Sequence, residues 1–584
     1  MKFKKIFLGA TAALGTAFVA TSLTSCSKEE EGGLKVCLAS TPQHVDPALN
    51  SAVDGACYAV HAFSGLVRYV PNEQGDLVIA PDLCKELPTG EAVGTKTKYT
   101  FELRDNIKFS NGEPITAQDF VDSWNRASGK ELGADYAFMF DVIDRIDDNT
   151  LNISAKDEKT LEVVLPVDSS YFMELCAFPA YDVLYDAKNL DAEGKWAKNP
   201  KKFVGSGAYT LKSYKDNVKL VLEKNDNYWD AENVTMEKIN FIFSDDDSST
   251  YAQFLNDDLQ FVDSMDASTA KTEKTGDNYH VIEQLGTYYV CFNVNSDLFS
   301  SFNQHAQEEI RTALSLLIDR KHICEDIVGT GETPATGFVG AKLTDIRGGY
   351  FVDYNGAAED GSGWTGDPEN YSANVAAAKE ILDKYFTKDA SGKYQNFPSI
   401  DYIINTNTNH EAIATEIKQE YANLGITLNI ASQEWNTFLQ TRKDGEFDVA
   451  RNGWVADYND PSSFLELFMS DSGNNDCQLG KGEVGEDPAA SFTYSVDLSS
   501  IAGYTSLTGT WAETYDELID YIRTEANFEK RFALMHKAES LLMSTGAVAP
   551  VYNYVDDWLQ STKLKNVYAS PLGFKFFHWS TLED

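Results

Sequence analysis

Residues 446–468, EFDVARNGWVADYNDPSSFLELF, constrain this chain more than any other stretch. Phe447 and Val449 alternate with Asp448 and Ala450, the period of a half-buried strand. The strand runs through Arg451 and Asn452 to Gly453, where a missing side chain permits close approach of another backbone. Trp454 and then Asp457 follow, and Pro461 ends the strand. A cation, bare backbone, a large aromatic and an anion are thus concentrated in one short span. An extended ligand with its own backbone, an amine at one end and a carboxylate at the other fits all four.

Other segments extend the pattern. They are QEWNTFLQTRKDGEF at 433–447, YTFELRDNIKFSNGEPITAQDFVDSWNRA at 99–127, TLEVVLP at 160–166, GAYTL at 207–211 and NDNYWD at 225–230. GTYYVCFNVN at 286–295, IRTALSLLIDR at 310–320 and PVYNYVDD at 550–557 complete it. With DVARNGWVADYNDPSSFL, this set resembles solute-binding protein family 5, the oligopeptide-binding lipoproteins of bacterial peptide ABC importers. The resemblance implies an α/β, periplasmic-binding-protein-like fold (type II, cluster C) with two main lobes, an extra subdomain and a hinge. Lobe I would combine 34–51, 204–286 and 553–584, lobe II would be 52–203, and lobe III 287–552. Two hinge strands would cross near Gly286–Thr287 and Tyr552–Asn553.

Lys2, Lys4 and Lys5 precede an apolar run over 6–20, the layout of a secretory leader and too short to span a bilayer comfortably. Leu23-Thr24-Ser25-Cys26 resembles a lipobox, so 1–25 is expected to be cleaved and Cys26 lipidated, with a tether over 26–33. The localisation implied is the outer face of the cytoplasmic membrane, on the extracellular or periplasmic side. A formal net charge of −41 argues against nucleic acid as a partner, because phosphates need a basic face. The chain has eight cysteines and no CxxC pair, which excludes a disulfide scaffold and disfavours a zinc ribbon. Cys37, Cys57, Cys84, Cys176, Cys291, Cys324 and Cys477 read as small buried hydrophobes. Where some relatives carry a disulfide, this chain has Gly286 and Val455.

Local patterns place further elements. A strand from Leu34 leads to an Asp46-Pro47 turn, and 99–103 with 107–109 suggests a hairpin. Thr116 to Asp119 starts a helix that buries Phe120, Trp124 and Ala127. A long strand centres on Tyr288 and Tyr289. Helices carry Ile310, Ala313, Leu314 and Leu317, and Ile413, Ile417, Tyr421 and Leu424. Residues 471–515 and 348–370 read as long, weakly patterned loops.

Catalytic patterns fail. His410-Glu411 lacks the second histidine of a zinc helix, since position 414 is alanine. Asp245-Asp246-Asp247 lacks the glycine of a calcium loop, Thr250 standing there, and reads as a solvated strand exit. No P-loop or nucleophile elbow is present, so the expectation is a binder with no cofactor and no metal.

The resemblance assigns the ligand's ammonium to Asp457, and Asp460 fits a turn-capping role. Arg451 and His410 are the candidates for its carboxylate, with Arg442 for ligands of another length. Asn452, Gly453 and Trp454 would offer a partner strand, and Trp435, Trp454, Tyr288, Tyr289 and Tyr552 would line side-chain pockets. Cys291 stands where some relatives have an acidic pocket residue, which weighs against a basic side chain at that ligand position. The implied partners are short peptides, a membrane permease with its ATPase, and the membrane through Cys26, the protein itself being a monomer. The rivals are a same-family receptor for a metal chelate, sugar or signalling peptide, and a secreted hydrolase or adhesin.

Overall fold

The computed structural model describes residues 32–38, 41–263, 265–354, 364–483 and 487–583. The expected leader, Cys26 and most of the tether therefore lie outside the described residues.

Eleven strands build the main sheet. Numbered along that sheet in chain order they are β1 (Leu34–Cys37), β2 (Tyr209–Lys215), β3 (Lys219–Lys224), β4 (Lys238–Ile242), β5 (Phe261–Val262) and β6 (Tyr279–Phe292). They continue as β7 (Thr333–Pro334), β8 (Ile400–Asn405), β9 (Leu428–Gln433), β10 (Val449–Val455) and β11 (Val548–Gln560). Their spatial order is β2-β3-β4-β1-β5-β11-β6-β10-β8-β9, with β7 joined to β11. The long pair β6 and β11 thus joins two half-sheets, one of β1–β5 and one of β8–β10.

The β6–β11 register shifts at two places, between Tyr288 and Tyr289 and, more widely, between Glu283 and Thr287. Glu283 pairs with Val555 and Thr287 with Asn553, so residues 284–286 face Tyr554 alone. Such an irregularity bends and twists a strand locally. Each half-sheet has its own core: Leu34, Tyr209, Phe241 and Phe577 pack in one, and Tyr288, Ile310, Tyr402 and Ile413 in the other.

Five helices matter for the site and its supports: α1 (Val53–Ala62), α2 (Ala117–Ser128), α3 (Gln304–Leu316), α4 (Thr408–Asn423) and α5 (Trp435–Lys443). The Thr116–Asp119 capping box forms on α2, and buried Trp124 donates its indole N–H to the Tyr181 carbonyl at 2.7 Å. Buried residues Ile310, Ala313 and Leu314 on α3, and Ile413, Ile417 and Tyr421 on α4, form the expected apolar faces. The hairpin expected between 99–103 and 107–109 does not form. Lys96–Glu102 instead pairs with Thr160–Leu165, far along the chain, and Lys108 bridges to Pro114. Asp246 in the acidic run accepts the Ser249 N–H and caps the helix Asp247–Leu255.

The stretch 471–515 is better anchored than its composition suggests. Cys477, Leu479 and Leu498 are fully buried, and Tyr494–Val496 pairs with Leu507–Gly509. Its apolar residues are too widely spaced to produce a period, yet partners distant in sequence bury them: Cys477 meets Cys291 and Ala547, and the Trp511 indole N–H donates to the Phe468 carbonyl.

Candidate functional site

The 451–457 stretch comes to lie along a cavity of about 330 Å³. One wall is the start of α1 with Tyr136 and Phe178, and the opposite wall is α5 and β10. Contacts close the cleft around it. The Tyr136 ring stacks on Trp454 at 6.0 Å, Tyr171 stacks on Tyr458 at 4.5 Å, and Lys443 pairs with Asp135.

Strand β10 is asymmetric. Its whole length pairs with β6, from Val449 against Phe292 to Val455 against Gly286. On its other edge β8 pairs only Val449 and Ala450. From Arg451 to Val455 no strand among the described residues continues that edge, and these residues line the cavity. The Gly453 N–H donates to Asn452 Oδ1 at 2.8 Å, but no strand among the described residues ladders this edge, and an edge left open in this way is a template for another extended chain. Gly453 is needed here for a local reason: a Cβ would fall on the Tyr554 hydroxyl.

Asp457 is 6% exposed. Its Oδ1 accepts the Tyr136 hydroxyl at 3.0 Å, and its backbone N–H donates to Ser463 Oγ at 2.9 Å. Oδ2, also buried, has no hydrogen-bond partner, and no cation of the described residues pairs with the carboxyl. Burial holds this carboxyl well above the usual carboxylate range, with the Tyr136 hydroxyl pulling the other way. A buried carboxyl in this state favours a ligand whose positive charge stabilises its ionised form.

The arginines divide. Arg442 is buried, donates to Asn452 Oδ1 and lies 3.4 Å from Asp476, so its charge is answered inside the protein. Arg451 has no carboxylate partner among the described residues, and its guanidinium lies 5.4 Å from the Tyr288 ring centre. His410 stands behind it and does not line the cavity; burial and the Arg451 charge hold its imidazole well below the usual range, hence neutral. The neighbouring residues Asn405, Thr406 and Asn407 line the cavity instead.

Trp435, Trp454, Tyr289, Asn452, Gly453 and Arg442 line the cavity. Tyr288 and Tyr552 do not: they stack on each other at 4.8 Å in the layer beneath, which positions Arg451. Tyr554, Tyr136, Asp54 and Asp476 line it and were not anticipated. Only Tyr554 carried a sequence signal, being two positions from Tyr552 on one strand and so on the same face. Burial pushes the Asp54 carboxyl up to about 6. Among the described residues no cluster of His, Cys, Asp or Glu suits a metal ion. No helix among them is long and apolar enough to cross a membrane.

Residues 79–476 match the family described as "Bacterial extracellular solute-binding proteins, family 5 Middle". The dipeptide-binding protein DppE of Bacillus subtilis is 30% identical over 494 residues, covering 82% of this chain and 80% of DppE. The structure of the Escherichia coli murein tripeptide binding protein MppA superposes with a TM-score of 0.75 at 27% identity, covering 94% of this chain and 98% of MppA. Against the unliganded open form of MppA the TM-score is 0.57 at 26% identity, with 94% and 97% coverage. The fold is therefore the type II periplasmic-binding-protein fold expected from the motifs.

Proposed function

The chain belongs to the family 5 bacterial extracellular solute-binding proteins, and from that premise we propose that it captures short peptides in the closed cleft and delivers them to an ABC importer. The peptide lies extended as an added strand on the free edge of β10, held by main-chain hydrogen bonds that are the same for every sequence. Its ammonium meets Asp457, and its carboxylate meets Arg451. Asn452, Gly453 and Trp454 form the strand face, while Trp435, Tyr289 and Tyr554 border the side chains. Arg442, fixed by Asp476, holds Asn452 in place. His410, Tyr288 and Tyr552 act from behind by supporting Arg451.

The observation that carries this reading is Oδ2 of Asp457, a buried carboxylate oxygen without a partner on the cavity wall. The cavity volume, at the low end for small-ligand sites, favours short peptides. Relatives named for dipeptides and a murein tripeptide agree with that size. The lobes 34–51 with 204–286 and 553–584, 52–203, and 287–552 open and close about the β6–β11 irregularity at 284–286. The lower score against the open form of MppA supports a closed arrangement here. Lipid on Cys26 tethers a monomer outside the cytoplasmic membrane, and a permease with its ATPase takes the peptide onward.

Calorimetry with tri- to pentapeptides tests the reading. Free peptides are expected to bind, and their N-acetylated forms to bind at least ~30-fold more weakly, as loss of a buried charge pair requires. Equal binding of both forms removes Asp457 from the amine role. Binding of neither assigns the site to another solute, which mass spectrometry of co-purified ligand identifies.

A further inference from the structure

Cys291 and Cys477 lie 186 positions apart, yet their Sγ atoms are 3.2 Å from each other in the buried interior. Cys291 is held in the middle of the sheet, where Ala450 and Val548 flank it on β10 and β11. Cys477 belongs to a turn, and that turn is tied to the end of β6. The Val294 N–H donates to the Cys477 carbonyl at 3.0 Å, and Cys477 Sγ contacts the Ala547 carbonyl at 3.4 Å. Both contacts hold the Cys477 turn against the ends of the two strands that pair at Cys291. A disulfide needs its sulfurs at ~2.05 Å, so closing the gap takes a movement of roughly 1 Å, within reach of side-chain rotation on a turn residue.

We propose that Cys291 and Cys477 form a disulfide that staples the cavity-lining 474–476 turn to β6. The assignment rests on the reading above that the chain works outside the cytoplasm, where disulfides persist. The step is thiol–disulfide exchange with an external disulfide, such as an oxidised thiol–disulfide oxidoreductase. One protein thiolate attacks that disulfide, and the second displaces the carrier thiol. The protein loses two hydrogens and gains one S–S bond, and the donor leaves as two thiols.

The position gives the bond a task. Asp476, immediately before Cys477, accepts the Asn452 amide at 2.8 Å and lies 3.4 Å from Arg442. Those contacts hold the wall beside the free edge of β10. A covalent tie on Cys477 keeps Asp476 seated when the lobes part. It also closes a very long loop in the unfolded chain, the case with the largest entropic effect on stability. Burial holds the Cys291 thiol well above its usual range, so thiolate is scarce once the core has closed. The bond therefore forms during folding and afterwards resists soluble reductants.

The test is thiol mapping of the full chain secreted by an exporting host. Free thiols are blocked with N-ethylmaleimide in denaturant, and peptides are weighed before and after reduction. One pair joining Cys291 to Cys477, two hydrogens lighter than the separate peptides, is expected. It should resist dithiothreitol in the native protein and yield to it in denaturant. N-ethylmaleimide on both cysteines in most molecules, or a bond from either to a different cysteine, overturns the proposal. A C291A/C477A double variant should melt several degrees below the oxidised protein and match the reduced one; equal melting of oxidised and reduced wild type also counts against the staple. Peptide calorimetry on the same preparation separates the two readings: binding with both thiols labelled rejects only the disulfide, and a mapped disulfide without peptide binding rejects only the ligand.

Discussion

Asp457 and Asp460 stand three positions apart in one turn and are almost equally buried, at 6% and 4% exposure. Asp460 is fully engaged. Both of its oxygens accept from Arg531, at 2.7 and 2.9 Å, and Oδ1 also takes the Ser462 N–H. Asp457 has one hydroxyl and an oxygen left over. The arginines repeat the contrast, Arg442 beside Asp476 and Arg451 without a carboxylate. A buried charge with its counter-charge in the chain belongs to the architecture, and one without it is poised for a ligand. Residue type and burial do not separate the two classes; pairing does.

The comparison breaks most easily at its architectural half. Arg531→Ala leaves Asp460 buried and unpaired and is expected to cost about 3–5 kcal/mol of stability. Urea denaturation measures this, and a loss below 1 kcal/mol would show that Asp460 does not depend on its partner. Asp457→Ala should cost about 2–5 kcal/mol in affinity for free peptides while leaving stability unchanged or higher. Affinity equal to wild type in calorimetry, or unfolding like that of Arg531→Ala, erases the distinction. Gly453→Ala forces the Tyr554 ring aside, at about 1–3 kcal/mol of stability. Removing the obstructing hydroxyl in Gly453→Ala/Tyr554→Phe should restore part of it, and no recovery would mean that the edge itself needs glycine.

The smallest effect is a pH dependence. In the free protein the Asp457 carboxyl stays protonated above the usual carboxylate range, and a ligand ammonium favours the ionised form. Binding therefore releases a proton. Affinity should rise with pH from about pH 4 upward, by at most tenfold per unit, and level off above the free protein's titration. Calorimetry in buffers of different ionisation enthalpy counts that proton. A count of zero would mean that Asp457 meets the ligand as a neutral donor.

Much of the framework was legible locally. The strand expected from Phe447 forms as β10 but starts at Val449, with Ala450 buried beside Val449 rather than alternating with it. The Thr116–Asp119 pattern became a capping box, and the turn role of Asp460 holds at Ser462. The resemblance pointed to Asp457 and Gly453, both now on the cavity wall. His410, Tyr288 and Tyr552 were expected there and stand behind it, because a motif names neighbours in the chain without giving depth. Tyr136, which bonds Asp457, lies 321 positions away, and Arg531 lies 71 from Asp460. No pattern near either aspartate announces such partners.

The chain's own order of residues determined its strands, caps and turns, since these depend on groups a few positions apart along the backbone. Only the packing of distant segments decided which buried charges were neutralised, which edge of β10 stayed open and which two thiols met. Those outcomes depend on distance through space, and the cost of an unpaired charge is set by what surrounds it after folding.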